Sequence, residues 1–82
     1  MNKGEWAEPI TFETHKLGAY LTISSTAEAA RVLLDYWPAK HGKALKRAKA
    51  TCLAVLQGNG NPEIARKAFL TAAEEAGVLI RD

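Results

Sequence analysis

Near its amino terminus the chain alternates apolar and polar residues, which is the period of a strand with one buried face. The alternation covers residues 10–14 and then 19–23, where Leu21 and Ile23 lie on the apolar face. The short segment between them ends in Gly18, which suits a left-handed backbone position in a hairpin loop. The pattern therefore predicts a β-hairpin in this part of the chain.

Apolar residues then recur at helical spacing after Ser25, a candidate N-cap that has Glu28 three positions later. This first helix is predicted to end before Pro38, because a proline disfavours helical geometry at the preceding residue. Its main buried stripe comprises Ala30, Leu33, Leu34 and Trp37. A neighbouring apolar stripe comprises Ala29, Val32 and Tyr36. Two stripes indicate either that the sheet and another helix both cover this helix or that one stripe forms a subunit interface.

Two further helices follow in the pattern. The second is predicted over residues 42–57, and Gly58 is its expected left-handed stop. Its buried face comprises Leu45, Ala48, Cys52, Val55 and Leu56. The third is predicted over residues 62–76, with Asn61 as N-cap and Gly77 as terminator. Its buried face is rich in small residues and comprises Ala65, Ala68, Phe69, Ala72 and Ala76.

The apolar run at residues 78–80 is long enough for one short strand, which we expect to close onto the N-terminal hairpin. The element order is then β-β-α-α-α-β, an α+β fold with the helices packed on one face of a small antiparallel sheet. Residues 1–8 are largely polar and are predicted to form a flexible N-terminal arm. Residues 9–82 are predicted to form a single domain.

The composition is typical of a globular domain, since the 82 residues are 48% hydrophobic and 24% charged. The single cysteine excludes an intramolecular disulfide and favours a reducing compartment. No stretch approaches the ~20 apolar residues that cross a bilayer, and the first residues lack the apolar run of a secretory signal. We therefore expect a cytoplasmic protein with no membrane partner.

Positive charge is concentrated in one part of the chain. Residues 40–49 carry five of the eleven lysines and arginines and no acidic residue. Their net charge is +5, and the net charge of the rest of the chain is −3. The block overlaps the second predicted helix, and we call its cations the basic ridge: Lys40, Lys43, Lys46, Arg47 and Lys49. They lie toward the N-terminal half of that helix, where the helix dipole disfavours cations. Their position indicates a role other than helix stability.

The basic ridge has three interpretations. It is a solvated face, a contact for an acidic protein surface, or a track for nucleic-acid phosphates. It lacks the Asn, Gln and aromatic side chains that read or stack bases. We expect a protein-interaction or regulatory module with an acidic protein partner, and sequence-tolerant nucleic-acid binding is the alternative. The pattern leaves open whether the chain is a monomer or a homodimer.

The sequence contains no pattern typical of catalysis or of a cofactor. His41 and Cys52 share a helix face but are eleven positions apart, which is about 16 Å along a helix axis. The apolar neighbours of Cys52 predict a buried, inert thiol, and His15, His41 and Cys52 match no zinc spacing. Residues 58–61 lack the Lys-Ser/Thr step of a phosphate-binding loop and are interpreted as a connector. We predict no catalytic, metal or cofactor site, and therefore no enzyme.

A set of residues at the ends and on the buried faces of these elements resembles the pattern of one small family. They are Trp6, Pro9, Gly18, Ile23, Ser24, Trp37, Pro38, Gly42, Cys52, Gly58, Ala65, Arg66, Ala68, Phe69, Ala72, Ala73, Ala76 and Gly77. This set resembles the domain-of-unknown-function family 982 of small alphaproteobacterial proteins, and the similarity runs from Trp6 to Ile80. The resemblance implies a soluble intracellular bacterial protein of no assigned activity, and it brings no catalytic or binding residues.

Overall fold

A computed structural model of the chain describes residues 5–13, 20–37, 41–78 and 80–81. The elements are β1 (Glu5–Glu13), β2 (Tyr20–Ser25), α1 (Thr26–Asp35), α2 (Lys43–Leu56), α3 (Pro62–Ala76) and β3 (Ile80–Arg81). The strands form an antiparallel sheet of order β2-β1-β3. The predicted α+β class is confirmed, whereas the predicted hairpin turn lies outside the described residues.

The first strand is longer than the sequence pattern predicts. β1 begins at Glu5, so residues 5–8 belong to the sheet, which corrects the flexible arm for this part; residues 1–4 lie outside the described residues. Trp6 is buried, and its Nε1 donates a hydrogen bond to Thr26 Oγ1 at 3.0 Å. The register between β1 and β2 shifts between Glu5 and Ile10. This irregularity breaks the alternation that would otherwise have revealed the strand.

The core lies between the sheet and the helices, and Phe69 of α3 is central to it. Ring centroids of Trp6, Phe12 and Trp37 lie 6.1, 5.5 and 5.2 Å from the centroid of Phe69. Ala65 and Ala72 are fully buried on the same helix. Because their side chains are small, α3 can approach its neighbours closely. The burial of these alanines agrees with the small-residue face predicted for this helix.

The buried face of α1 confirms the predicted stripe in part, since Leu33 is buried and Ala30 and Trp37 pack against the core. Leu34 is 67% exposed, whereas Ala29 and Val32 of the neighbouring stripe are buried. Thr26 at the start of the helix is fully buried and accepts the hydrogen bond from Trp6, which turns this side of α1 toward the core. Tyr36 remains 54% exposed. The buried face of α1 therefore takes residues from both stripes, and Leu34 is the residue of the predicted stripe that lies at the surface.

Two other predicted core residues lie at the surface. Leu56, at the end of α2, is 44% exposed, and Leu21 of β2 is 42% exposed. Leu21 pairs with Phe12 and shares a sheet face with the buried Ile23, so its side chain lies where that face is incompletely covered. Periodicity assigns a residue to a face but does not say how far the covering element extends.

Candidate functional site

The second helix presents a basic face to solvent, as its apolar spacing predicts. Leu45, Ala48, Cys52 and Val55 are buried. On the other side of the helix Lys43, Lys46 and Arg47 are exposed, and Lys49 is half-buried. Lys40 lies outside the described residues. The structure therefore brings four members of the basic ridge together on one helix, and their role as a binding surface stays a prediction.

The start of α2 is capped from another helix. Its N-cap residue is Gly42, which has no side chain to accept a hydrogen bond. Instead the carboxylate of Glu75, in the last turn of α3, accepts hydrogen bonds from Ala44 N at 3.1 Å and from Leu45 N at 3.3 Å. These N–H groups lack partners within their own helix, so a carboxylate there satisfies them and favours the positive end of the dipole. This contact ties the basic ridge to the end of α3.

Gly42 is required by this arrangement for two reasons. Its φ of +150° lies in a region that residues with a side chain rarely adopt. A Cβ atom at this position would also collide with the carboxylate of Glu75. The close approach of Glu75 to the helix start therefore depends on a glycine at the N-cap.

The described cations of the basic ridge have no carboxylate partner. The ion pairs within the described part of the chain are made by Arg66, whose guanidinium lies 3.9 Å from Glu8 and 3.8 Å from Glu63. Arg66 Nε also donates to the main-chain oxygen of Glu8 at 2.9 Å, which attaches the irregular part of β1 to α3. Arg66 is thus a structural cation. The four described ridge cations, by contrast, form no ion pair within this part of the chain.

A groove runs beside the basic ridge between α2 and α3, which lie antiparallel with the start of α2 beside the end of α3. At the ridge end, its depression of about 750 Å³ is lined by Lys43, Ala44, Lys46, Arg47, Ala50, Thr51, Thr71 and Glu75. At the other end it is lined by Ala50, Thr51, Ala54, Val55, Asn59, Gly60, Asn61 and Ile64. Ala50 and Thr51 line both depressions, which therefore adjoin along α2.

The surface on the other flank of α2 is smaller. A depression of about 250 Å³ is lined by His41, Gly42, Leu45, Lys46 and Lys49. Lys46 borders both this depression and the groove. The basic ridge therefore lies between two concave surfaces, and the one shared with α3 is larger.

Cys52 and His41, which the sequence places on one helix face, lie in different environments. Cys52 is fully buried, and burial raises the pKa of its thiol to about 11, which leaves it protonated and unreactive near neutral pH. The predicted structural cysteine is therefore confirmed. His41 is exposed beside the start of α2, and the described residues contain no group of three metal-ligating side chains.

Sequence reasoning missed Glu75 and the groove. One signal for Glu75 exists, because the first turn of α2 contains no acidic residue and follows a glycine that cannot cap it. A helix start of that kind needs an acceptor from elsewhere. Which carboxylate supplies it depends on the packing of α3, and the groove depends on the same packing.

These features define a small α+β domain in which one helix presents, beside a groove, cations that have no carboxylate partner among the described residues. The chain belongs to the family described as protein of unknown function (DUF982), whose model matches residues 8–80. This match confirms the resemblance found from the set of residues at the ends and on the buried faces of the elements. No curated protein and no solved structure matches the sequence. None of the helices in the described ranges combines the length and apolar character of a membrane span.

Proposed function

We propose that this chain is a non-catalytic protein-interaction module that binds an acidic surface of a partner protein through the basic ridge. The observation that carries the proposal is the state of Lys43, Lys46 and Arg47. All three are exposed on one helix, and none has a carboxylate partner among the residues described. The rest of the chain carries a net −3, so the positive field is local to this surface.

The energetics of α2 support a role for these cations outside the fold. Lys43 and Lys46 occupy the first turn of the helix, where the dipole repels positive charge by ~0.3–1 kcal/mol per residue. The capping carboxylate of Glu75 offsets part of this repulsion, but no described carboxylate forms an ion pair with either lysine. An anionic partner surface would offset it on binding and would also accelerate association by electrostatic attraction.

The non-catalytic part of the proposal is supported by the state of Cys52. Nucleophilic catalysis needs an accessible nucleophile beside a base. Cys52 is inaccessible, and its thiol pKa is raised to about 11 by burial. The exposed ridge side chains can attract and orient anions, and this is a binding function.

A matched pair of charge reversals tests the proposal. Arg47→Glu reverses a ridge charge, whereas Arg31→Glu makes the same change at an exposed site on α1. Partner proteins are first recovered from native cell extract on immobilised wild-type protein. They should bind Arg31→Glu as tightly as they bind the wild type. Arg47→Glu should weaken binding by up to about fivefold, and Lys43→Glu/Arg47→Glu by more. Equal recovery by the double variant and by Arg31→Glu would contradict the proposal.

A salt series of binding to random duplex DNA and to RNA distinguishes nucleic-acid binding through the basic ridge from binding of an acidic protein. A ridge that tracked phosphates would bind most strongly at about 50 mM salt and lose affinity steeply as salt rises. We expect no measurable binding at that salt concentration. If the wild-type protein binds DNA or RNA in a salt-dependent way and Lys43→Glu/Arg47→Glu does not, nucleic-acid binding replaces the protein-partner proposal.

A further inference from the structure

The groove between α2 and α3 indicates what kind of partner segment binds beside the basic ridge. We infer that the groove between α2 and α3 is a docking site for an amphipathic helix of the partner, with acidic side chains at the ridge end and an apolar anchor at the other. This inference rests on the proposed function, to which it adds the kind of segment that binds. It also places part of the binding energy on residues outside the basic ridge.

The groove is long enough for several turns of a helix. Its walls are two antiparallel helices, and α2 contains 14 residues, about 21 Å or four turns of a partner helix. The middle of its α2 side is built from Ala50, Thr51 and Ala54, whose short side chains leave the groove open there. Larger residues at these positions would fill the space that a partner side chain needs.

The two ends of the groove differ in chemistry. Lys43 and Arg47 line the ridge end, and Glu75 at the same end is already hydrogen-bonded to N–H groups of α2. The other end contains no charged lining residue, and Ile64 there is 57% exposed. An occupant complementary to this gradient has acidic residues near one end and an apolar residue near the other.

The backbone of the groove favours a helix over an extended segment. The two long walls are helices, so their main-chain donors and acceptors are paired within each helix, and Glu75 caps the start of α2. Only the connecting loop at Asn59, Gly60 and Asn61 is not helical. An extended peptide would find no strand edge there and would leave its own polar backbone unpaired on an apolar surface. A helix satisfies its backbone internally. Nucleic acid fits poorly, because the apolar half has no lining cation or aromatic side chain.

The test begins with a displayed library of random peptides of about 16 residues, long enough to span the groove as a helix. It is selected for binding to the wild-type protein at low salt. The enriched peptides are expected to carry acidic residues at one end and apolar residues at i, i+3 and i+4. On titration into isotope-labelled protein, they should shift the amide signals of Thr51, Ala54 and Thr71. Failure to enrich peptides, enrichment without acids, or shifts confined to other elements would overturn the inference.

Variants then separate the groove from the basic ridge. Ala50→Trp fills the groove at an exposed position, and Ala27→Trp is its matched control on the exposed face of α1. Ala50→Trp should weaken the selected peptides at least about tenfold, while Ala27→Trp leaves affinity within about twofold. Circular dichroism checks that both variants are folded, and signal mapping on the wild-type protein does not depend on them.

The possible outcomes distinguish the two proposals. If Lys43→Glu/Arg47→Glu weakens peptide binding but Ala50→Trp acts like Ala27→Trp, the groove inference is overturned and the proposed function stands. If the charge reversal also leaves binding unchanged, both are overturned. If both sets of variants weaken binding and the control does not, both are supported.

Discussion

Glu75 offers the sharpest test of how the basic ridge is held in place. Its carboxylate caps α2 from the last turn of α3, although an acidic residue there is unfavourable for the dipole of α3 itself. Replacing Glu75 by alanine removes both hydrogen bonds and leaves the N–H groups of Ala44 and Leu45 to water. We expect the free energy of unfolding to fall even though Glu75 is exposed.

The magnitude follows from three contributions. Loss of an N-terminal cap costs ~1 kcal/mol, and loss of a negative charge at the start of α2 costs a further ~0.3–1 kcal/mol. Removing an acidic residue from the end of α3 returns roughly 0.3 kcal/mol. The net destabilisation is about 1–2 kcal/mol, and in a domain of this size it lowers Tm by roughly 5–15 °C.

Urea and thermal unfolding followed by circular dichroism measure this change. Glu74→Ala is the matched control, because Glu74 is the adjacent exposed acid on α3 and makes no described contact with α2. It should be neutral or slightly stabilising. Glu75→Gln keeps an acceptor without the charge and should fall between the two. If Glu75→Ala is no more destabilising than Glu74→Ala, the cap does not stabilise α2 and the reasoning fails.

Three further predictions concern the core and the start of α1. Because the pKa of the Cys52 thiol is raised to about 11, iodoacetamide should alkylate it slowly in the native protein and rapidly in urea; fast native labelling would contradict its burial. Thr26→Val leaves the buried Trp6 N–H without this acceptor and should cost ~1–3 kcal/mol in urea unfolding, whereas Thr26→Ser should cost less. The hydrogen bond from Ser24 N lowers the pKa of Glu28, so its stabilising effect is complete above the ordinary pKa of glutamate and is lost as pH falls through the lowered value. The difference in unfolding free energy between wild type and Glu28→Gln should therefore shrink below about pH 4.5, and a difference that grew on acidification would have the wrong sign.

The helix ends were largely predictable from the sequence because caps are local. Ser25 Oγ accepts from Glu28 N, and Asn61 Oδ1 accepts from Glu63 N, as the spacing of these residues predicts. Gly77 ends α3 in a left-handed conformation, so the predicted bounds 62–76 match the helix. Each of these contacts joins residues within one helical turn, so no knowledge of the rest of the fold is needed.

The water-facing side of α2 was also set by its own sequence, because one apolar stripe excludes the lysines from the interior. In α1, where two stripes compete, the outcome depended on a distant contact: Trp6 bonds to Thr26, and Leu34 is left exposed. The cap from Glu75 and the groove beside it likewise join residues about thirty positions apart. Local periodicity carries no information at that separation, so only the packing of α2 against α3 determined the shape of the candidate site.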